Sequence, residues 1–144
     1  MMTHEELLDE WEKDAEMNKH HLDYEALRIP KLHHKYLKMY MDFKSKKIAL
    51  NHKLEDLKKE KELYYSGQAT ADVYKEKPFD LKLKTKGAVQ QHVNTDPEVM
   101  RLQEKLEYFD ILIEGANYIV TQVSFRNQSV KNAVDFIKFQ SGGL

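Results

Sequence analysis

Cysteine is absent from the 144 residues, which excludes disulfides, thiolate metal sites and cysteine nucleophiles and fits a reducing compartment. Glycine and proline are scarce, at 5 and 3. A fold of many short strands would need more turn residues. Long apolar runs are missing as well. The richest, around 108–125, is interrupted by Asp110 and Glu114, so it does not read as a membrane span. The N-terminus, MMTHEELLDEW, is acidic and has no apolar core, unlike a signal peptide. There is no glycine-rich phosphate loop, no G-x-S-x-G elbow and no H-E-x-x-H. The 7 histidines include the adjacent pairs His20-His21 and His33-His34. Neighbours on a helix point in different directions, so such pairs chelate poorly. No carboxylate sits in an apolar setting that would raise its pKa. Neither enzymatic activity, nor a metal, nor a cofactor is expected.

What is present is charge and heptad spacing. Hydrophobic residues make up 41% and charged residues 33%, with a mean hydropathy of −0.73, a balance usual for long amphipathic helices. The net charge of −1 hides an asymmetry. Residues 1–30 carry nine acids against three bases, and residues 31–61 carry ten lysines against four acids. An acidic arm beside a basic rod is the pattern.

Thr3 and Glu6 have capping-box spacing, and Leu7, Leu8, Trp11 and Ala15 follow at helical intervals, predicting a short first helix. Pro30 is expected to interrupt it and open the next. From there Tyr36, Tyr40, Phe43, Lys47, Leu50, Leu54, Leu57, Lys61 and Tyr64 recur in steps of four and three, a coiled-coil seam. Ser66-Gly67 ends it, with Gly67 suited to the left-handed position after a helix. Phe79 to Lys86 alternates with period two, consistent with a short strand or ribbon. If extended, Lys82, Lys84 and Lys86 point to one side, and the plainer reading is a solubilised edge whose charge blocks aggregation. Thr95-Asp96-Pro97-Glu98 marks another helix start with a second capping box. Val99, Leu102, Leu106, Phe109, Ile113, Ala116, Val120, Val123, Asn127, Val130, Val134 and Ile137 then form a second seam. Ile111, Leu112, Tyr118, Ile119, Phe125, Phe136 and Phe139 lie off it. That is more apolar surface than one partner helix covers, which predicts self-assembly through Phe109, Ile113, Ala116, Val120, Val123, Val130, Val134 and Ile137.

The expected fold class is therefore mainly α. A short N-terminal helix precedes a long antiparallel helical hairpin with an irregular or short β-ribbon linker, assembling as a ring homo-oligomer. One domain spans 1–144. Its parts are an acidic helical arm at 1–29, a basic long helix at 30–66, a connecting loop or ribbon at 67–95 and a C-terminal oligomerisation helix at 96–141.

The stretch LKKEKELYYSG, residues 57–67, carries the functional question. Lys58, Lys59 and Lys61 supply cations for phosphate. Tyr64 and Tyr65 follow as rings on which unpaired bases could stack. The plainer reading is a solvated helix end. Glu55–Lys59 and Lys58–Glu62 are favourable i,i+4 pairs, and Tyr64 continues the seam.

At these residues the sequence resembles the UvsY family, recombination mediators of tailed bacteriophages that encode their own RecA-type recombinase. The matching stretches are Leu22-Asp23-Tyr24-Glu25-Ala26, Lys35-Tyr36-Leu37 and Leu63-Tyr64-Tyr65-Ser66-Gly67 with the lysines before it; Asp72-Val73-Tyr74 extends them. Beyond about residue 86 the likeness rests on pattern and length. It implies a ring of six or seven copies that binds single-stranded DNA and loads the phage recombinase onto strands covered by the phage single-strand-binding protein, in the cytoplasm of the host bacterium. The family's basic pair, Lys-x-Arg ahead of Tyr-Tyr, falls on Lys59 and Lys61. Lysine at 61 loses the bidentate guanidinium fork, and Glu60 between the two adds negative charge. In this reading Lys58, Lys59, Lys61, Tyr64, Tyr65, Lys82, Lys84 and Lys86 meet DNA, and Glu5, Glu6 and Glu12 of the acidic arm meet either the recombinase or a neighbouring subunit's basic helix. The alternative is a helical oligomeric scaffold that binds no DNA.

Overall fold

The computed structural model describes residues 1–79, 83 and 85–142, and all regular structure among them is helical. Five helices follow in order: α1 His4–Ala15, α2 Leu22–Tyr65, α3 Ala71–Glu76, α4 Lys86–Asn94 and α5 Pro97–Gln140. They pack as two compact units, one of residues 1–44 with 110–144 and the other of residues 45–109. No helix among the described residues is long and apolar enough to cross a membrane.

In the first unit, α1 starts on the expected cap, with Thr3 Oγ1 accepting the Glu6 backbone N–H at 3.1 Å. Its apolar face buries Leu7, whose Cδ2 would lie 3.3 Å from a Cβ at position 115, so Gly115 leaves room for it. Trp11 meets the Tyr36 ring edge-on at 5.5 Å. Leu112 and Ile119, which lie off the seam, are fully buried beside seam residues Ala116 and Val123. Part of the surplus apolar surface on α5 is thus covered within the chain.

Pro30 does not start a helix. It lies inside α2, which begins eight residues earlier at Leu22. Proline already holds a helical φ. Its cost, about 3 kcal/mol, comes from the lost N–H and the clash with the preceding turn. The flanking residues offset that cost. Glu25, Leu32 and Tyr36 are buried, and Arg28 ties the start of α2 to the last carbonyls of α1.

The end of α1 is held by arginines. Arg126 donates from Nη1 to the Ala15 carbonyl at 2.9 Å and from Nη2 to the Glu16 carbonyl at 3.0 Å. Arg28 Nη2 reaches the Asp14 and Glu16 carbonyls at 2.9 and 3.2 Å. These carbonyls lack partners within α1, as at any helix end. Both guanidinium groups also bond Glu25 Oε2, at 2.9 and 3.2 Å.

The core of the second unit joins Leu54 of α2, Val89 and Val93 of α4, and Val99 and Leu106 of α5. The connecting stretch expected as loop or ribbon holds two helices. Lys86 opens α4, where Thr85 Oγ1 caps the N–H of Ala88 at 3.1 Å. Val89 and Val93, four apart, face the core. Of the alternating stretch, Asp80, Leu81, Lys82 and Lys84 lie outside the described residues.

Candidate nucleic-acid interface

The stretch that raised the question sits at the end of α2 in the second unit, where local chemistry fixes a sharp stop. Gly67 takes φ +81°. Its N–H bonds the Tyr64 carbonyl at 3.3 Å, and the Gln68 N–H bonds the Leu63 carbonyl at 2.9 Å. These are the two bonds of a Schellman turn, and the positive φ suits glycine. Tyr74 on α3 clips the turn from outside, donating its hydroxyl to the Tyr64 carbonyl at 2.7 Å.

The tyrosine pair is built into this structure. Tyr64 stacks on Tyr74, with ring centroids 5.4 Å apart, and donates its hydroxyl to the Lys77 carbonyl at 2.9 Å. Tyr65 meets Tyr64 and Phe79 edge-on at 5.0 Å each. Its hydroxyl donates to Asp96 Oδ2 at 2.6 Å. Burial, and then that carboxylate, push the Tyr65 phenol well above its ordinary pKa. The rings pack on protein rather than standing beside an open track.

Lys61 likewise turns inward. Its ammonium lies 3.4 Å from Asp96 and 3.5 Å from Glu98, with the side chain 11% exposed. Asp96, not Thr95, caps α5. Its Oδ1 accepts the Glu98 N–H at 2.9 Å and the Val99 N–H at 3.4 Å, and Pro97 occupies the first helical position. Thr95 instead ends α4. Burial would raise the Asp96 pKa. The Tyr65 hydroxyl, the Glu98 and Val99 N–H groups and the Lys61 charge outweigh it and hold the carboxyl below its usual range. Lys77, 3.2 Å from Glu98 Oε1, lowers the Glu98 pKa in turn.

Lys59 and Lys86 are placed differently. Both are exposed and line one open groove of about 540 Å³, shared with Glu62, Ser66, Gln68 and Thr85. Among the described residues, two cations and one acid give this groove a positive balance. Lys58 is half-buried and lines a separate groove that carries Glu104 and Glu107. Lys82 and Lys84 fall outside the described residues.

The comparisons with known proteins span nearly the whole chain. Residues 10–143 match the family model described as "Recombination, repair and ssDNA binding protein UvsY". The chain belongs to the UvsY family. The recombination protein uvsY of Enterobacteria phage T4 is 25% identical over 149 residues, covering 98% of this chain and 99% of that protein. Crystal structures of the bacteriophage T4 recombination mediator protein UvsY share the fold. One superposes with a TM-score of 0.84 at 22% identity over 96% of this chain and 99% of that one, another with 0.83 at 23% over 98% and 99%.

Elsewhere, Glu5, Glu6 and Glu12 are exposed on α1, whereas Glu10 and Asp14 pair with Lys35 at 2.6 Å each. Of the eight seam residues assigned to self-assembly, Phe109, Ala116, Val123 and Val130 are buried within the chain, and Ile113, Val120 and Val134 are half-buried. Ile137 is exposed, together with Ile111, Tyr118, Phe125, Phe136 and Phe139. Among the described residues, no group of three or more histidines and carboxylates could hold a metal ion. Sequence reasoning missed Asp96 and Arg126 as organising groups. The capping position of Asp96 before Pro97 was a usable signal for the first. Arg126, isolated in an apolar helix, was one for the second.

Proposed function

We propose that this chain is a recombination mediator that works by binding alone, without catalysis. An antiparallel helical hairpin assembles as a ring of six or seven copies and holds single-stranded DNA through Lys59 and Lys86, with Lys58 at the margin. The bound strand loosens from the single-strand-binding protein that covers it, and a RecA-type recombinase nucleates there. Loading of this kind is free-energy coupling, because the mediator must prefer the strand in its receptive state. The work is done in the cytoplasm of a phage-infected bacterium.

The observation that carries this reading is the contrast among the lysines at this end of a UvsY-family chain. Lys61 is neutralised by two carboxylates, while Lys59 and Lys86 stand exposed on one groove. Repeating that groove around a ring would give avidity. The exposed Ile111, Tyr118 and Phe125, spaced by seven on α5, support self-assembly on this face. Exposed Glu5, Glu6 and Glu12 support contact with a basic surface of the recombinase.

The test is anisotropy of a fluorescent single-stranded oligonucleotide across a salt series, with the oligomer followed by light scattering. Wild type is expected to bind tightly at low salt and to weaken steeply as salt rises. Lys59→Ala/Lys86→Ala is expected to bind more weakly, with the salt slope reduced by about 0.7 for each phosphate that the variant no longer neutralises. Wild type that fails to bind at low salt overturns the reading in favour of a helical scaffold.

A further inference from the structure

Phosphate contacts alone discriminate only weakly between a single strand and a duplex, because both display the same phosphodiester groups. Recognition of a single strand uses unpaired bases, commonly against aromatic rings. Here the two tyrosines are already committed, Tyr64 stacked on Tyr74 and Tyr65 bonded to Asp96. A base must be received in a cavity beside these rings.

A second cavity adjoins the cationic groove, and Leu63 and Gln68 line both. It is enclosed by the end of α2, the turn after Gly67 and α3, and holds about 370 Å³, the scale of a small-ligand pocket. Its walls divide by chemistry. Leu63, Val73, Ala69 and the Tyr64 side chain give apolar surface. Glu60, Glu76 and Glu98 give acceptors and Lys77 gives donors, while the Lys61 ammonium is held by Asp96 and Glu98.

The balance of charge differs from that of the groove beside it. Three carboxylates against two ammonium groups disfavour a phosphate here, and Glu98 is held ionised by Lys77 and Lys61. A neutral heterocycle carries no such penalty. It can lie against apolar walls and present amino groups to carboxylates and carbonyl oxygens to the Lys77 ammonium, as base edges do elsewhere.

Resting on the proposed DNA-binding reading, we infer that this cavity receives a single unpaired nucleobase of the strand whose backbone follows Lys59 and Lys86. The groove takes the anion and the cavity takes the base. Duplex DNA is discriminated against because its bases are paired and stacked inward.

The experiment compares two labelled strands of equal length and charge, one carrying bases and one made of abasic tetrahydrofuran units, by anisotropy at fixed salt. Wild type is expected to favour the base-bearing strand by about tenfold, the order that one stacked base supplies. Val73→Phe fills the cavity from an exposed position on α3, so helicity measured by circular dichroism is expected to hold. That variant is expected to bind both strands alike, at the affinity of wild type for the abasic strand. Equal wild-type affinity for the two strands overturns the base site and leaves DNA binding standing. A preference that survives in Val73→Phe moves the base away from this cavity and overturns the assignment. Failure of wild type to bind either strand overturns the DNA-binding reading and the base site with it.

Discussion

Two buried ion pairs, one in each compact unit, do different work with different cations. In the first unit Arg126, its side chain 6% exposed, lies 2.9 Å from Glu25 and caps two carbonyls at the end of α1 with the same guanidinium group. In the second, Lys61, 11% exposed, faces Asp96 and Glu98 at 3.4 and 3.5 Å. The guanidinium is a planar fork with several fixed donors, whereas the ammonium is a point charge on a flexible stem. The first can fasten a helix end by direction. The second neutralises a capping carboxylate without imposing geometry. A charged residue at an apolar helix face is therefore understood best by how many donors its surroundings need.

The largest effect is expected from breaking the first pair. Arg126→Ala leaves the buried Glu25 carboxylate with Arg28 alone and strips the cap from the Ala15 carbonyl, at a cost of about 3 kcal/mol, the lower end for a broken buried pair, in urea unfolding. Trp11 is the sole tryptophan and packs on Tyr36 in this unit, so its emission reports whether α1 has come loose. Arg126→Lys sharpens the comparison. If fork geometry matters, restoring the charge alone recovers only part of the stability.

Asp96→Ala is expected to cost about 2 kcal/mol, the upper range for a helix cap, because it also leaves the Tyr65 hydroxyl without its acceptor and Lys61 with Glu98 alone. Lys61→Met is expected to cost less and to leave DNA affinity nearly unchanged. A large drop in affinity in Lys61→Met, with stability intact, would return Lys61 to the DNA-contacting set.

The pH dependence involves both regions. Burial would raise Glu25, but the Arg126 and Asn18 bonds and the arginine charges hold it below its usual value. Burial would likewise raise Asp14, and Lys35, Tyr36 and Arg28 outweigh it and lower that carboxyl. Asp96 is lowered as described. A carboxylate depressed in the folded state contributes stability above its unfolded pKa, about 4. That stability is lost as pH falls through the folded value. The melting temperature is expected to hold from pH 7 to about 5 and then fall. Asp96→Asn is expected to flatten the part that belongs to the second unit.

The smallest change is Tyr74→Phe, which removes the hydroxyl clip on the Tyr64 carbonyl and is expected to cost about 1 kcal/mol.

Much of the fold is legible in the residues alone. The seam from Tyr36 to Tyr64 is buried or half-buried at every position, because a repeat of 3.5 residues can put one face inward only as a helix. Gly67 stops α2 as its position in Ser66-Gly67 suggests. Less is legible where signals compete. Pro30 reads as a boundary because its local cost is visible and the burial of Leu32 and Tyr36 is not. The alternation before Lys86 suggests a strand, yet Thr85 and the Val89–Val93 pair set a helix at its end. In the candidate site, the lysines and tyrosines are visible as a cluster, but their commitments to Asp96, Glu98 and Tyr74 are not.

By itself, the sequence determined the helical class, the two long heptad-patterned segments, the stop at Gly67 and the lysine-rich end of α2, all of which follow from neighbours within a few turns. Tertiary structure alone decided which of those lysines are available. Lys61 meets carboxylates more than thirty residues away, Lys59 joins Lys86 across a shared groove, and Arg126 finds carbonyls more than a hundred residues earlier. Whether a charge is spent inside the fold or left for a partner depends on groups distant in the chain, and no local pattern records them.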